Sequence, residues 1–360
     1  MAKIVNICDV CSEIFAGGDA PKGNMSETKT EEYNIPIYAN GEANEGLYGY
    51  TNKARVTKPS ITVSARGTIG YTAIRPTPFV PIVRLITLTP NPELIDIKYL
   101  YYAAQNYKFD GSGTSIPQLT VPSLKKYSFP LPAMEEQAHI VMILDNVCDL
   151  IDQKKQQLEL LDELVKSRFI ELFGDPNTNP MKWKKEQLQI NATLLNGRAY
   201  KQDELLDDGK YPVLRVGNFF SNRGWYYSDL ELDEDKYCDD GDLLYAWSAS
   251  FGPRIWNGGK VIYHYHIWKV LVGEKYNKQF LCHLLDYATA SFMGDTHGIG
   301  MMHLTKSGME ETEFIVPPID LQNQFAAFVE QTDKSKSVCL EKIEKYTELY
   351  NKLMNDYFGG

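Results

Sequence analysis

Asp19, Glu27 and Lys29 follow the D…E-x-K order in which carboxylates and an ammonium could hold a divalent metal beside a phosphodiester. All three lie in one polar stretch without flanking apolar alternation, so no strands fix them and the spacing is weak evidence for a nuclease. Cys8 and Cys11 form a C-x-x-C pair, but no second pair follows at zinc-finger spacing. His264 and His266 alternate on a β-prone run and share a face, which does not guarantee a third ligand. No G-x-x-x-x-G-K-[ST] phosphate loop is present. An amine methyltransferase needs a Gly-rich S-adenosylmethionine loop and an N-P-P-Y-like tetrapeptide, and Asn91-Pro92-Glu93 and Val316-Pro317-Pro318-Ile319 do not supply it.

With little catalytic chemistry to position, the elements carry the argument. Shifted on itself by 185 residues, the chain brings Leu119-Thr120 onto Leu304-Thr305, Phe129 onto Phe314, Pro132 onto Pro317 and Gln137 onto Gln322. Glu163-Leu164 then meets Glu348-Leu349, and Phe173-Gly174 meets Phe358-Gly359, without a gap. A period this long means two domain-sized units, not a solenoid. Each ends in a helix with a sustained apolar seam: Ile140, Leu144, Val147, Ile151, Lys154, Leu158, Leu161, Val165, Arg168 and Leu172 in the first copy. The second has Phe325, Val329, Thr332, Lys336, Cys339, Ile343, Tyr346, Tyr350, Leu353 and Tyr357. One such seam fits either a coiled coil or a helix on a globular core; two in register predict an intramolecular antiparallel pair. Proline punctuation precedes both helices, and Phe-Gly ends both.

The bulk numbers fit. The 360 residues, 43% hydrophobic and 12% aromatic, allow two globular domains. No run of 18 apolar residues and no charged-then-apolar leader pattern occurs, so the expectation is a cytoplasmic protein without a membrane partner. The net charge of −10 argues against a chain that grips nucleic acid strongly by itself. Residues 1–133 nonetheless carry 13 Lys and Arg against 11 Asp and Glu. In the second unit the acids concentrate in 229–242, while both long helices are acidic.

Each half reads as a mixed α/β unit. Strands are expected near 35–39, 60–65, 69–74 and 84–89, with a helix near 97–107. In the second half they fall near 211–216, 242–247, 260–265 and 267–272, with a helix near 279–289. The division predicted is 1–133, helix 134–174, 175–318, helix 319–360, with residues 174–180 as a turn-rich linker.

The motifs now resemble those of the specificity (S) subunit of type I restriction–modification systems. Gly17-Gly18-Asp19-Ala20-Pro21-Lys22 followed by Ile35-Pro36-Ile37 is similar to the family's entry to a target-recognition domain. Ser64-Ala65-Arg66-Gly67-Thr68-Ile69-Gly70 resembles its S-x-R-G-x-x-G hairpin, and Gln118-Leu119-Thr120 through Gln137 resembles the approach to its spacer helix. The second half offers Asn196-Gly197-Arg198, Tyr211 to Asn218, Ala246 to Gly252, His303-Leu304-Thr305 and Gln322. Two departures stand out. Leu321 replaces the first copy's Glu136, and Gly252-Pro253-Arg254 replaces Gly67-Thr68-Ile69.

The resemblance implies a subunit with no chemistry of its own. Two recognition domains each read half of a split double-stranded DNA site. Two methyltransferase subunits bring S-adenosylmethionine and modify adenine, and restriction subunits add ATP- and Mg-dependent translocation and cleavage. The geometry agrees: a helix of about 39 residues is about 58 Å long, against ~34–36 Å per DNA turn. Unread base pairs must separate the half-sites.

Arg reads guanine bidentately, and Asn and Gln read adenine. Candidate contacts in the first unit are Lys22, Ser64, Arg66, Thr68, Thr114, Ser115 and Gln118; in the second they are Arg198, Lys201, Arg215, Asn218, Ser248, Ser250, Arg254 and His297. Trp225-Tyr226-Tyr227 reads as a strand packing on a core, with a groove wedge as the alternative. Two rival functions stay open here: a nuclease built on the 19–29 carboxylates, and a scaffold that only spaces proteins.

Overall fold

The structure is a computed structural model and describes residues 2–75, 78–107, 118–221, 224–248, 250–294 and 305–359, with side chains described only to residue 290 in the segment ending at 294. It is mixed α/β and falls into two compact units, 1–156 with 340–360, and 157–339. The division passes through both long helices, Met134–Phe173 and Ile319–Phe358.

In the first unit a four-stranded antiparallel sheet runs in the order Cys11–Ala16, Ile86–Pro90, Ser60–Val63, Thr72–Arg75. A three-stranded sheet, Leu47–Thr51, Ile35–Tyr38, Val80–Pro81, lies beside it in the chain path, with the last two strands parallel. Val63, Ile86 and Leu88 face helix Ile97–Asn106 in one buried core. That helix starts at Asp96, whose carboxylate accepts the Lys98 and Tyr99 amides at 2.8 and 3.1 Å, satisfying two otherwise orphan donors.

The second unit repeats the plan: Ala192–Asn196, Ile267–Val272, Leu243–Ser248, Ser250–Ile255, with helix Lys278–Gly294. Its mixed sheet orders Tyr226–Ser228, Tyr211–Leu214, Val261–Tyr263, Tyr237–Cys238. Tyr226 and Tyr227 are thus strand residues, half-buried. The expected strands are all present within a few residues. The sequence reading missed four longer strands, Cys11–Ala16, Leu47–Thr51, Ala192–Asn196 and Ser250–Ile255, and also one short closing pair in each unit, Lys3–Asn6 with Ser128–Leu131 and Lys185–Gln187 with Glu313–Ile315. Three- and four-residue strands are too short to show alternation.

The long helices pack together, and every seam position named above is buried or half-buried. Their direction follows from their partners. In the first unit Ile140, Val141 and Leu144 share a core with Met354 and Phe358. In the second, Val165, Phe169 and Phe173 share one with Phe325 and Val329. The start of each helix therefore meets the end of the other, an antiparallel coiled-coil pair. Lys336, a polar seam position, donates to Asp162 at 2.6 Å.

Each helix ends as a wedge. Phe173 meets Phe280 at 4.6 Å and Phe325 at 5.7 Å, while Phe358 lies 5.0 Å from Tyr99. Gly174, at φ +72°, supplies the left-handed residue that stops the first helix, and its amide closes onto Ile170 at 2.8 Å. The repeated Thr of the Leu-Thr match is a cap: Thr120 Oγ1 accepts the Ser123 amide and Thr305 Oγ1 the Gly308 amide.

Candidate nucleic-acid interface

The hairpin between Ser60–Val63 and Thr72–Arg75 is a tight loop at residues 64–71, turned by Gly67 and Gly70 at φ +69° and +89°. Arg66 stands exposed on it. Its Nε and Nη2 both donate to Gln118 Oε1, at 3.1 and 2.8 Å. Two predicted residues from distant segments are thereby joined, and the guanidinium has a set direction while keeping its remaining donors. Thr68 is exposed on the same tip, and Lys22 is exposed on a separate turn.

Ser64 is fully buried, and its Oγ accepts the Gly41 amide at 3.1 Å. It serves as a brace, which corrects the expectation of a direct contact. Beside it Asn40 Oδ1 accepts the Ala65 amide at 2.7 Å, and Asn40 Nδ2 donates to the Val83 carbonyl at 2.6 Å. Behind the tip, buried Arg75 donates to the Glu45 carbonyl at 2.6 Å and to Thr62 Oγ1 at 3.1 Å, with its guanidinium 3.8 Å from the Tyr38 ring centre. This clamp holds Asn44 and Glu45 in the left-handed region, at φ +48° and +52°.

In the second unit the equivalent hairpin carries Ser248, half-buried, and Ser250, exposed, at its tip. Trp247 donates its indole N–H to the Tyr265 carbonyl at 2.9 Å and its amide to the His266 carbonyl at 3.0 Å. Burial, reinforced by His266 and Arg215, pushes the His264 imidazole down to about 4; burial and then Arg215 lower His266 as well. Near pH 7 both are neutral donor–acceptor groups.

Arg198 is clamped: Nη1 and Nη2 donate to the two Glu204 oxygens at 2.8 and 2.7 Å. This ion pair competes with any phosphate for the same guanidinium. Asn218 is buried, accepts the Arg215 amide at 3.2 Å and donates to the Gly224 carbonyl at 3.3 Å. It holds a turn, and the direct-contact expectation is corrected for it too. Arg215 is exposed over the Tyr226 ring at 5.2 Å. Arg254 is exposed but donates to the Phe219 carbonyl, and Lys201 is exposed. Thr114, Ser115 and His297 lie outside the described residues.

Two mixed α/β units of one plan, each with a braced hairpin tip and each seated on a shared pair of long helices, define a duplicated recognition protein. The chain belongs to the type I restriction modification DNA specificity domain family, whose pattern it matches twice, over residues 2–161 and 180–349. It is 36% identical over 143 residues to a Mycoplasma pneumoniae protein described as a type I specificity subunit, covering 40% of this chain and 42% of that one. Against a second such protein of that organism it spans 39% of the relative's length. The specificity subunit of the Methanocaldococcus jannaschii restriction enzyme MjaIX is 24% identical over 88% of this chain and 80% of its own. In fold the chain is similar to the S subunit of M. genitalium, with a TM-score of 0.58 at 17% identity, covering 99% and 96% of the two chains. It is likewise similar to a chain from a study of assembly and conformational transition of the type I system, with a TM-score of 0.60 at 14% identity, covering 99% and 97%.

Proposed function

We propose that this chain is the non-catalytic sequence-specificity subunit of a type I restriction–modification complex. Each recognition unit reads one half of a bipartite, asymmetric duplex-DNA site, and the helices recruit two methyltransferase subunits. Those subunits bring S-adenosylmethionine. Restriction subunits, with ATP and Mg, join in the full complex.

One observation carries the reading: the two units share a framework and differ at its tips. Gly17 and Gly197 both sit where a Cβ would fall 2.4–2.5 Å from backbone of the neighbouring strand, so both must be glycine. Leu85 and Ile267 both accept the amide of that glycine, at 2.8 and 3.2 Å. On this common frame Arg66 of one hairpin corresponds to Ser248 of the other. A shared scaffold with different exposed side chains is what two different half-sites require. For the helices, Leu164 and Leu349 are equivalent in the repeat and are 49% and 43% exposed. Apolar residues left open on both acidic helices suit a protein partner better than DNA.

The test is co-expression with a cognate methyltransferase, followed by mapping N6-methyladenine across host DNA. A split, asymmetric motif that depends on this chain is expected. Replacing residues 1–133 by those of another specificity subunit is expected to change one half of that motif; a change in both halves overturns the modular reading.

A further inference from the structure

We propose that each recognition unit reads its half-site with a second element, the loop Val83-Arg84 in the first unit and Tyr265-His266 in the second, and that Arg84 contacts a base. The proposal rests on the DNA-reading function above.

The two loops occupy equivalent places in their units and share three backbone hydrogen bonds, although of their residues only Val83 and Arg84 hold positive φ. Each leaves a strand of one sheet of its unit, Val80–Pro81 or Val261–Tyr263, and enters a central strand of the other, Ile86–Pro90 or Ile267–Val272. Ile82 donates to the Tyr38 carbonyl and His264 to the Leu214 carbonyl, both at 2.9 Å. Val83 donates to Gly18 at 2.8 Å and Tyr265 to Arg198 at 3.0 Å. Leu85 closes onto Ile82 at 3.0 Å and Ile267 onto His264 at 2.9 Å. Three matching backbone bonds with Val-Arg in one copy and Tyr-His in the other repeat the pattern of the hairpin tips: framework kept, side chains changed. The Arg84 amide adds a bond to the Gly17 carbonyl at 3.0 Å that belongs to the first loop.

Each loop is also bonded to its hairpin. In the first unit Asn40 bridges the Ala65 amide and the Val83 carbonyl; in the second, Trp247 donates directly to the His266 and Tyr265 carbonyls. Ala65 and Trp247 are equivalent and immediately precede the tips Arg66 and Ser248. A duplex in contact with the tip is therefore beside the loop.

The side chains are available. Val83 is 48% and Tyr265 39% exposed, and Arg84 is exposed with no hydrogen bond or ion pair from its guanidinium among the described residues. Val83 and Arg84 both hold left-handed backbone, φ +52° and +65°. A β-branched residue there is strained, and such strain persists only where surrounding bonds over-determine it. Three hydrogen bonds, to Gly17, Gly18 and from Asn40, do so here. The constraint fixes where Arg84 leaves the backbone, as bidentate recognition of guanine requires.

The test uses the full chain with its methyltransferase and reads the methylated motif and its rate site by site. For Arg84→Ala, discrimination at one base pair of one half-site is expected to fall roughly tenfold or more, with the other half unchanged. Arg84→Lys keeps the charge and loses the fork, and it is expected to behave like Arg84→Ala. Tyr265→Ala is expected to alter the opposite half-site alone. Rescue by Arg84→Lys, or a uniform loss over all sites, would make Arg84 a phosphate contact and overturn the base-reading assignment. Wild-type motif and rate in both Arg84→Ala and Tyr265→Ala would remove the loops from recognition altogether. If the wild-type chain directs no methylation, the function proposed above fails, independently of these loops.

Discussion

Gln137 and Gln322 make the same three hydrogen bonds in the two halves of the chain. Gln137 Oε1 accepts the Asp96 amide at 2.9 Å, while Nε2 donates to the Leu94 and Pro132 carbonyls at 3.1 and 3.0 Å. Gln322 Oε1 accepts the Asn277 amide at 2.9 Å, while Nε2 donates to Lys275 and Pro317 at 2.9 and 2.8 Å. Both side chains are fully buried. Each pins the first turn of a long helix to the N-terminus of the helix that lines its unit's core.

Replacing either glutamine by alanine orphans a buried amide and two carbonyls. The expected loss is about 2–4 kcal/mol for each, measured as a lowered urea midpoint. Little change on either substitution would mean that water satisfies these groups and the lock is dispensable.

The helix ends predict a crossed effect. Phe173, from the first repeat, fills the second unit's core, and Phe358, from the second, fills the first unit's. Phe173→Ala should cost about 3–5 kcal/mol and loosen strands Ala192–Asn196 and Ile267–Val272 in hydrogen exchange. Phe358→Ala should loosen Ser60–Val63 and Ile86–Pro90 instead. Loosening confined to the mutated residue's own repeat would contradict this packing.

Acid should weaken the second unit through two carboxylates. Lys184, then Lys275 and Asn191, hold Glu186 down to about 2 from an ordinary 4.5; Arg198, then the Lys201 amide, do the same for Glu204. A carboxyl lowered on folding binds fewer protons folded than unfolded between those values. Its stabilisation is therefore complete above about 4.5 and is lost as pH falls toward 2. Glu186→Gln and Glu204→Gln should each flatten stability against pH across that window; an unchanged acid limb in the double variant would exclude both groups.

Val83 is strained where Asn is tolerated. Val83→Asn is expected to stabilise the chain by about 1 kcal/mol, or about 2–4 °C in Tm for a unit of this size. A lowered Tm would show that the Val83 side chain packs more than its exposure suggests.

Leu164→Asp with Leu349→Asp removes apolar surface from both helices. Binding of methyltransferase subunits is expected to drop at least tenfold, while the stability of the free chain stays within about 0.5 kcal/mol. Full binding by the double variant would place the docking surface elsewhere.

Much of this architecture was legible before folding was considered. The seams from Ile140 and Phe325 follow the helical period, and burial keeps to that period at every seam position. The 185-residue offset is clear only from Leu119 onward because the globular parts drift: Gly17 pairs with Gly197, 180 apart, and Leu85 with Ile267, 182 apart. Small differences in loop length erase a gapless match while leaving the hydrogen-bonded frame intact.

The candidate contacts divide for a related reason. A loop residue's type tells which bonds it can make, and its partners come from distant segments. Ser64 finds Gly41, Arg66 finds Gln118 and Arg198 finds Glu204, and only the last of these is nearby in sequence. Arg84 reads as the start of a strand by pattern alone, and the left-handed backbone of Val83 and Arg84 comes with bonds to Gly17, Gly18 and Asn40. Period and repeat are properties of the chain itself, so the sequence determined the duplicated units and their helices. Which exposed side chains are free to meet DNA is set by non-local hydrogen bonds, and only the tertiary structure decides that.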